Sequence, residues 1–63
     1  MEENPQEIQA WLSQLENIRI LLEEARVHAR QMGSPEGDRI EGQIGATLRE
    51  VNRQIFDLRA CQP

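Results

Sequence analysis

A glycine-serine-proline triplet at residues 33–35 lies near the middle of this 63-residue chain and divides it into two helical segments. Glycine readily takes the left-handed conformation that ends a helix, and Ser-Pro is a favourable start for the next one. At the amino terminus, Asn4 is a good N-cap, Pro5 suits the first helical position, and Glu7 stands at the capping-box position. We therefore predict helices over about 5–32 and about 35–61, joined by a turn at 33–34.

Apolar residues recur at alternating spacings of three and four along both segments, which indicates a heptad seam on each helix. The seam of the first helix comprises Ile8, Trp11, Leu15, Ile18, Leu22, Ala25, Ala29 and Met32. The seam of the second comprises Ile44, Leu48, Val51, Ile55 and Leu58, and Ile40 widens it near the turn. Because neither helix can bury its seam alone, the pattern predicts an all-α antiparallel hairpin over residues 1–63.

Several apolar residues lie off these seams and would remain exposed in a hairpin with one inner side. A second apolar stripe along a helix is typical of an interface, so we expect the hairpin to pack onto a partner or into a four-helix bundle. Trp11 has two interpretations, since it could close the open end of the hairpin or anchor a partner. The predicted partner-binding residues are Trp11, Leu12, Ile20, Leu21, Val27 and Phe56.

Gly42, Gly45 and Ala46 form an unusual cluster of small residues inside the second helix. Glycine within a helix is unfavourable by about 0.5–1 kcal/mol relative to alanine, so the cluster calls for a reason. It could allow another helix to approach closely, or it could mark a frayed or kinked stretch after the turn. The sequence leaves both interpretations open.

The composition narrows the choice of partner and compartment. Seven basic residues against eleven acids give a net charge of −4, which disfavours a nucleic-acid phosphate backbone as partner. The longest apolar run is Ile20-Leu21-Leu22, too short to cross a membrane, and the amino terminus does not resemble a signal peptide. We expect a cytoplasmic protein.

A single cysteine cannot form an internal disulfide, so a small core of this kind is expected to need a partner chain, as a homodimer when isolated.

Few residues of the chain are candidates for catalysis or metal binding. His28 lies four residues after Glu24, which is too small a set for a metal site, and Cys61 has no histidine in register to activate it. We therefore predict no catalytic, metal or cofactor site, and a non-enzymatic interaction module.

The segment from Leu22 to Leu58 resembles the small YscE-type co-chaperones of type III secretion needles. The likeness lies in the turn Gly33-Ser34-Pro35-Glu36 and in apolar positions on both sides of it, among them Leu22, Ala25, Leu48, Ile55 and Leu58. Gly37-Asp38 stands where those proteins often carry an aromatic residue. The resemblance implies an adaptor or co-chaperone that pairs with a larger helical-repeat chaperone. The alternatives are a homodimeric four-helix-bundle regulator, as in small plasmid and phage proteins of the Rop type, and an inhibitor that sequesters a host protein.

Overall fold

The protein consists of two antiparallel helices joined by a tight turn. The computed structural model describes residues 5–61, in which α1 spans Pro5–Gln31 and α2 spans Pro35–Ala60. The hairpin measures 48 × 15 × 14 Å. The predicted all-α hairpin is thus confirmed, and each helix ends one residue earlier than expected. Asn4, the predicted cap of α1, lies outside the described residues.

Local backbone chemistry explains the turn. Gly33 has φ +60°, the left-handed conformation that glycine adopts without strain, and it follows two short hydrogen-bonded turns at the end of α1. Ser34 is the N-cap of α2, because its Oγ accepts a hydrogen bond of 3.1 Å from the backbone N–H of Gly37. Pro35 then occupies the first helical position, where its missing N–H is not needed. The two helices therefore reverse direction within three residues.

Aliphatic side chains from both helices form the core, which lies toward the open end of the hairpin. Its centre is a cluster of Ile8 and Leu12 from α1 with Val51 and Ile55 from α2. Three half-buried leucines pack against this cluster: Leu15, Leu22 and Leu58. Ala29 and Leu48 are also buried nearer the turn. No side chain among residues 5–61 is completely shielded from solvent, as is typical of a two-helix structure with a single line of contact.

The seam predicted for α1 is half wrong. Ile8, Leu15, Leu22 and Ala29 do face α2, although Leu15 and Leu22 are only half-buried. The seam is completed by the line that begins at Leu12, on the opposite side from the line that was predicted. Leu12 is therefore buried at 5% exposure, whereas four predicted seam residues are exposed. These four, spaced seven apart, are Trp11, Ile18, Ala25 and Met32.

The physical reason that α1 can use this flank of its seam is that arginine side chains can lie along it. Arg19 and Arg26 follow Leu12 at seven-residue intervals, and a long arginine stem can cover a core while its guanidinium reaches water or a carboxylate. Arg26 in this position meets Glu41 of α2. Apart from Leu12, the arginine flank is therefore no better buried than the apolar flank, and Trp11 and Ile18 remain 46% and 43% exposed.

The seam predicted for α2 is confirmed. Leu48, Val51 and Ile55 are buried, and Ile44 and Leu58 are half-buried. Ile40, which was expected to widen this seam, is instead 43% exposed. Glu41, the next residue, takes the inner position instead, where Arg26 and Arg30 of α1 can reach it.

Near the turn the helices approach so closely that only glycine fits. A Cβ atom on Gly37 would lie 2.5 Å from the carbonyl oxygen of Ala29 and 2.9 Å from the Cβ of Met32. Gly42 and Gly45 have no such neighbour within 4 Å, and α2 runs through both without a break. Within the hairpin, the helices therefore approach closely at Gly37 and not at Gly42 or Gly45.

Candidate interaction surface

The two broad sides of the hairpin differ sharply in charge. Each ion pair found among residues 5–61 lies on one side, which we call the charged face. Two of these pairs join Arg26 and Arg30 to Glu41, at 3.4 and 2.7 Å. The others are Arg59 with Glu16 at 3.2 Å and Arg19 with Glu23 at 3.9 Å. Three of the four therefore link α1 to α2 and help to fix their alignment.

Glu41 is the best-connected acid in the described part of the chain. Its Oε2 accepts hydrogen bonds from Nε and Nη2 of Arg30, at 3.0 and 2.7 Å, and from Nε of Arg26 at 3.4 Å. The hydrogen bond from Arg30 is the main reason that the pKa of Glu41 is lowered, and the same bond raises the pKa of Arg30. The carboxylate is therefore ionised at neutral pH and holds the turn end of the two helices together.

The opposite side, which we call the uncharged face, consists of lines of side chains that contain no Asp, Glu or Arg from Trp11 to Met32 on α1 or from Ile40 to Leu58 on α2. Glu50 borders it, since its carboxylate accepts a hydrogen bond of 3.2 Å from Nε2 of Gln54. Helical geometry places side chains seven residues apart on one line, so the face can be read from the sequence once the inner seam is known. On α1 it comprises Trp11, Gln14, Ile18, Leu21, Ala25, His28 and Met32. On α2 it comprises Ile40, Ile44, Thr47, Gln54 and Leu58.

A shallow groove of about 450 Å³ lies in the uncharged face near the open end of the hairpin. Its walls are Trp11 and Ile18 of α1 and Gln54 of α2, and its floor includes Leu15 and Leu58. Trp11 and Ile18 are 46% and 43% exposed. The grooves on the charged face are lined mainly by polar and charged side chains, including Glu16, Glu23, Arg49 and Arg59. The apolar groove is therefore the better receptor for another apolar side chain.

The six residues predicted to bind a partner do not form one surface. Trp11 and Leu21 belong to the uncharged face, whereas Leu12 is part of the core and the prediction that it lies outside was wrong. Ile20 and Val27 share a line on the outer back of α1, where they are 49% and 50% exposed. Phe56, at 72% exposed, lies on the charged side of α2.

Ile18, Met32 and Ile40 were missed as candidate surface residues because the heptad pattern assigned them to the inner seam. Two flanking lines on α1 were both compatible with that pattern, and the more apolar one was chosen. The distribution of charge carried the missing signal. The lines without acids or arginines run from Trp11 to Met32 on α1 and from Ile40 to Leu58 on α2, which marks a continuous uncharged strip rather than a set of stray apolar residues.

The other candidate groups remain apart from one another. Cys61 is an exposed free thiol at the end of α2, and His28 is exposed on α1. Over residues 5–61, no three His, Cys, Asp or Glu side chains lie close enough together to hold a metal ion. Neither helix, over the same residues, combines the length and apolar character required to cross a membrane.

Comparison of the chain with known protein families, with curated proteins and with solved structures found no match. The class that the fold and surface define is an all-α helical hairpin with one charged and one uncharged side.

Proposed function

We propose that the protein is a non-enzymatic protein–protein interaction module that binds an α-helical chain on its uncharged face. The observation that carries this proposal is the separation of the two sides: ion pairs gather on one, and the other carries an exposed apolar line. Exposed apolar residues scattered singly are ordinary, but an aligned set including Trp11, Ile18, Leu21 and Met32 is characteristic of an interface.

The choice of inner flank on α1 supports the proposal. In the hairpin, Trp11 and Ile18 stay 46% and 43% exposed, no better covered than Arg19 and Arg26, whose side chains are 40% and 45% exposed. Exposing the more apolar flank is unfavourable for an isolated hairpin, because apolar area removed from water contributes about 25 cal/mol per Å². A second helical chain covering that flank would recover this contribution.

The kind of partner follows from the shape of the face. Its apolar residues recur every seven positions along a straight helix, which is the spacing that another helix offers in coiled-coil packing. Trp11 beside the groove has the properties of an anchor residue, a large side chain with a polar N–H at one end. A helix lying along the hairpin would bury this line as one continuous strip.

Site-specific photocrosslinking in the native cell tests the proposal. A photoreactive amino acid replacing Ile18 should form a covalent product with a protein chain, whether another copy or a different protein. The same amino acid replacing Val27, which has similar exposure on the back of α1, is the matched control. We expect much less product from position 27. Equal products from both positions, or none from position 18, would contradict the proposal.

Two narrower proposals rest on the sequence alone. The resemblance of residues 22–58 to needle co-chaperones implies a role in type III secretion, and the sequence pattern implies a cytoplasmic location. Both remain predictions. If the product at position 18 is a helical-repeat chaperone from a secretion system, the narrower function gains its first direct support.

A further inference from the structure

We infer that the occupant of the uncharged face is a second copy of this chain, so that two hairpins associate face to face as a four-helix bundle. This inference rests on the proposed function, because it uses the same surface and names the partner. The observations that favour a second copy are the placement of charge, the size of the face and the thinness of the core.

Charge is the strongest of these observations. The chain carries a net charge of −4, so two copies repel each other through most of their surface. A face without acids lets two copies of an acidic chain meet without placing like charges in contact. The uncharged face meets that requirement between Trp11 and Met32 on α1 and between Ile40 and Leu58 on α2. An isologous pair, in which both copies present the same patch, needs such self-compatibility.

A different partner would favour another kind of surface. Charged groups opposite charges of the other sign commonly guide and select a hetero-partner. The charges that could do so, such as those of Arg49 and Arg59, lie on the other side of the hairpin. The uncharged face offers shape and apolar contact, which a second copy supplies equally well.

The size of the face agrees with a small, reversible dimer. The uncharged face runs from Trp11 to Met32, roughly 32 Å at about 1.5 Å per residue. With the 15 Å width of the hairpin, its footprint is roughly 480 Å² on each copy, the size of a small and reversible interface. The apolar groove near Trp11 and Leu58 could accept a side chain from the other copy. Because no described side chain is completely shielded in the single hairpin, a second layer would complete its core.

The protein contains its own reporter for this contact. Trp11 is the single tryptophan of the chain and is 46% exposed at the edge of the groove. Pairing through the uncharged face would cover its ring and shift its fluorescence emission to shorter wavelength. Dilution should then reverse that shift over the same concentration range in which the dimer dissociates.

The experiment combines sedimentation equilibrium with Trp11 fluorescence on the purified full chain, across micromolar to millimolar concentrations. The key variants are Leu21→Glu and Ile20→Glu, which change neighbouring residues on different sides of α1. We expect the parent and Ile20→Glu to reach twice the 7.3 kDa chain mass, with a dilution-dependent emission shift. We expect Leu21→Glu to weaken the dimer at least about tenfold, because a charge would be buried without a partner.

Two further results would overturn the inference. One is a parent that stays monomeric and helical by circular dichroism throughout the concentration range. The other is a dimer that Leu21→Glu leaves intact while Ile20→Glu dissociates it, which would assign pairing to the back of α1. If Leu21→Glu fails to fold, Met32→Glu, which changes a 55% exposed residue at the turn end of the same face, replaces it with the same expectation. A monomeric parent that still crosslinks a different protein from position 18 would overturn only the second copy and leave the proposed function standing.

Discussion

The two ends of the hairpin are held together by different means. At the open end, aliphatic side chains of Ile8, Leu12, Val51 and Ile55 fill the space between the helices. At the turn end the helices lie too close for a side chain at position 37, and Gly37 lies against the backbone of Ala29. Between these regions, Glu41 bridges two arginines. Apolar packing thus dominates one end, whereas close backbone contact and ion pairing dominate the other.

This difference assigns distinct roles to the two ends. Apolar burial supplies most of the free energy of folding, so the open end should determine whether the hairpin forms. The turn end holds the helices in one alignment, because a backbone contact and a charged hydrogen bond both depend on position. Substitutions at each end should therefore differ in the size of their effects and in their response to pH.

The largest effect should come from Leu12→Ala in the open-end core. Removing a buried leucine to alanine typically lowers the free energy of unfolding by about 2–5 kcal/mol, a large share for a chain of this size. Ile20→Ala is the matched control, since Ile20 is 49% exposed on the same helix. Thermal and urea unfolding would measure both. Equal destabilisation by the two variants would contradict the buried position of Leu12.

Gly37→Ala should have the next largest effect. The added Cβ would lie 2.5 Å from the carbonyl oxygen of Ala29, so the helices must separate at the turn end. Overpacking of this kind commonly destabilises a protein by about 1–3 kcal/mol. Unfolding of the variant in urea measures the change. A variant as stable as the parent would show that the turn end tolerates separation and that its alignment role is weak.

Gly42→Ala should have a smaller effect of the opposite sign. No atom lies within 4 Å of the added Cβ, so the variant should gain about 0.5–1 kcal/mol from the better helix propensity of alanine. It is the control for Gly37→Ala in the same helix. Destabilisation in a monomeric sample would mean that Gly42 has a role in the hairpin itself, whereas loss of association alone would place a second helix close to it.

Glu41→Gln should have the smallest effect at neutral pH, because glutamine keeps the shape of the side chain and its oxygen can still accept hydrogen bonds from the exposed Arg26 and Arg30. Its pKa is lowered by Arg30, so its stabilising contribution is present at neutral pH and is lost as the pH falls through that lowered pKa. The parent should therefore lose more thermal stability than the variant between neutral pH and about pH 3. Melting curves at both pH values measure the difference. Equal losses of thermal stability in the two proteins would show that protonation of Glu41 does not contribute to the loss of stability in acid.

Much of the fold could be predicted from the sequence because its signals are local. Gly33, Ser34 and Pro35 act through their own backbone preferences, and the seam of α2 has a single apolar solution. The rotation of α1 could not be predicted in the same way. Leu12 and Trp11 lie on opposite sides of the line formed by Ile8 and Leu15, and contacts with α2 decide which of them is buried.

The candidate surface was recognised only in part for the same reason. Trp11 and Leu21 were identified as exposed candidates, but Ile18 and Met32 were assigned to the interior with the wrong flank. The close approach at Gly37 was also missed, since the sequence gives no sign of which glycine meets the other helix. Contacts between helices decide both points, and a pattern within one helix does not contain them.

The tight reversal at Gly33 has a practical consequence for anyone who attaches something to this molecule. Pro5 and Cys61, the first and last described residues, lie at the same end of the hairpin, and the turn is at the far end of a 48 Å rod. A dye coupled to the exposed thiol of Cys61 would therefore leave the turn clear by nearly the whole length of the hairpin. The molecule could serve as a stiff spacer, inserted through its neighbouring ends into a surface loop of a host protein and projecting its tip into solution.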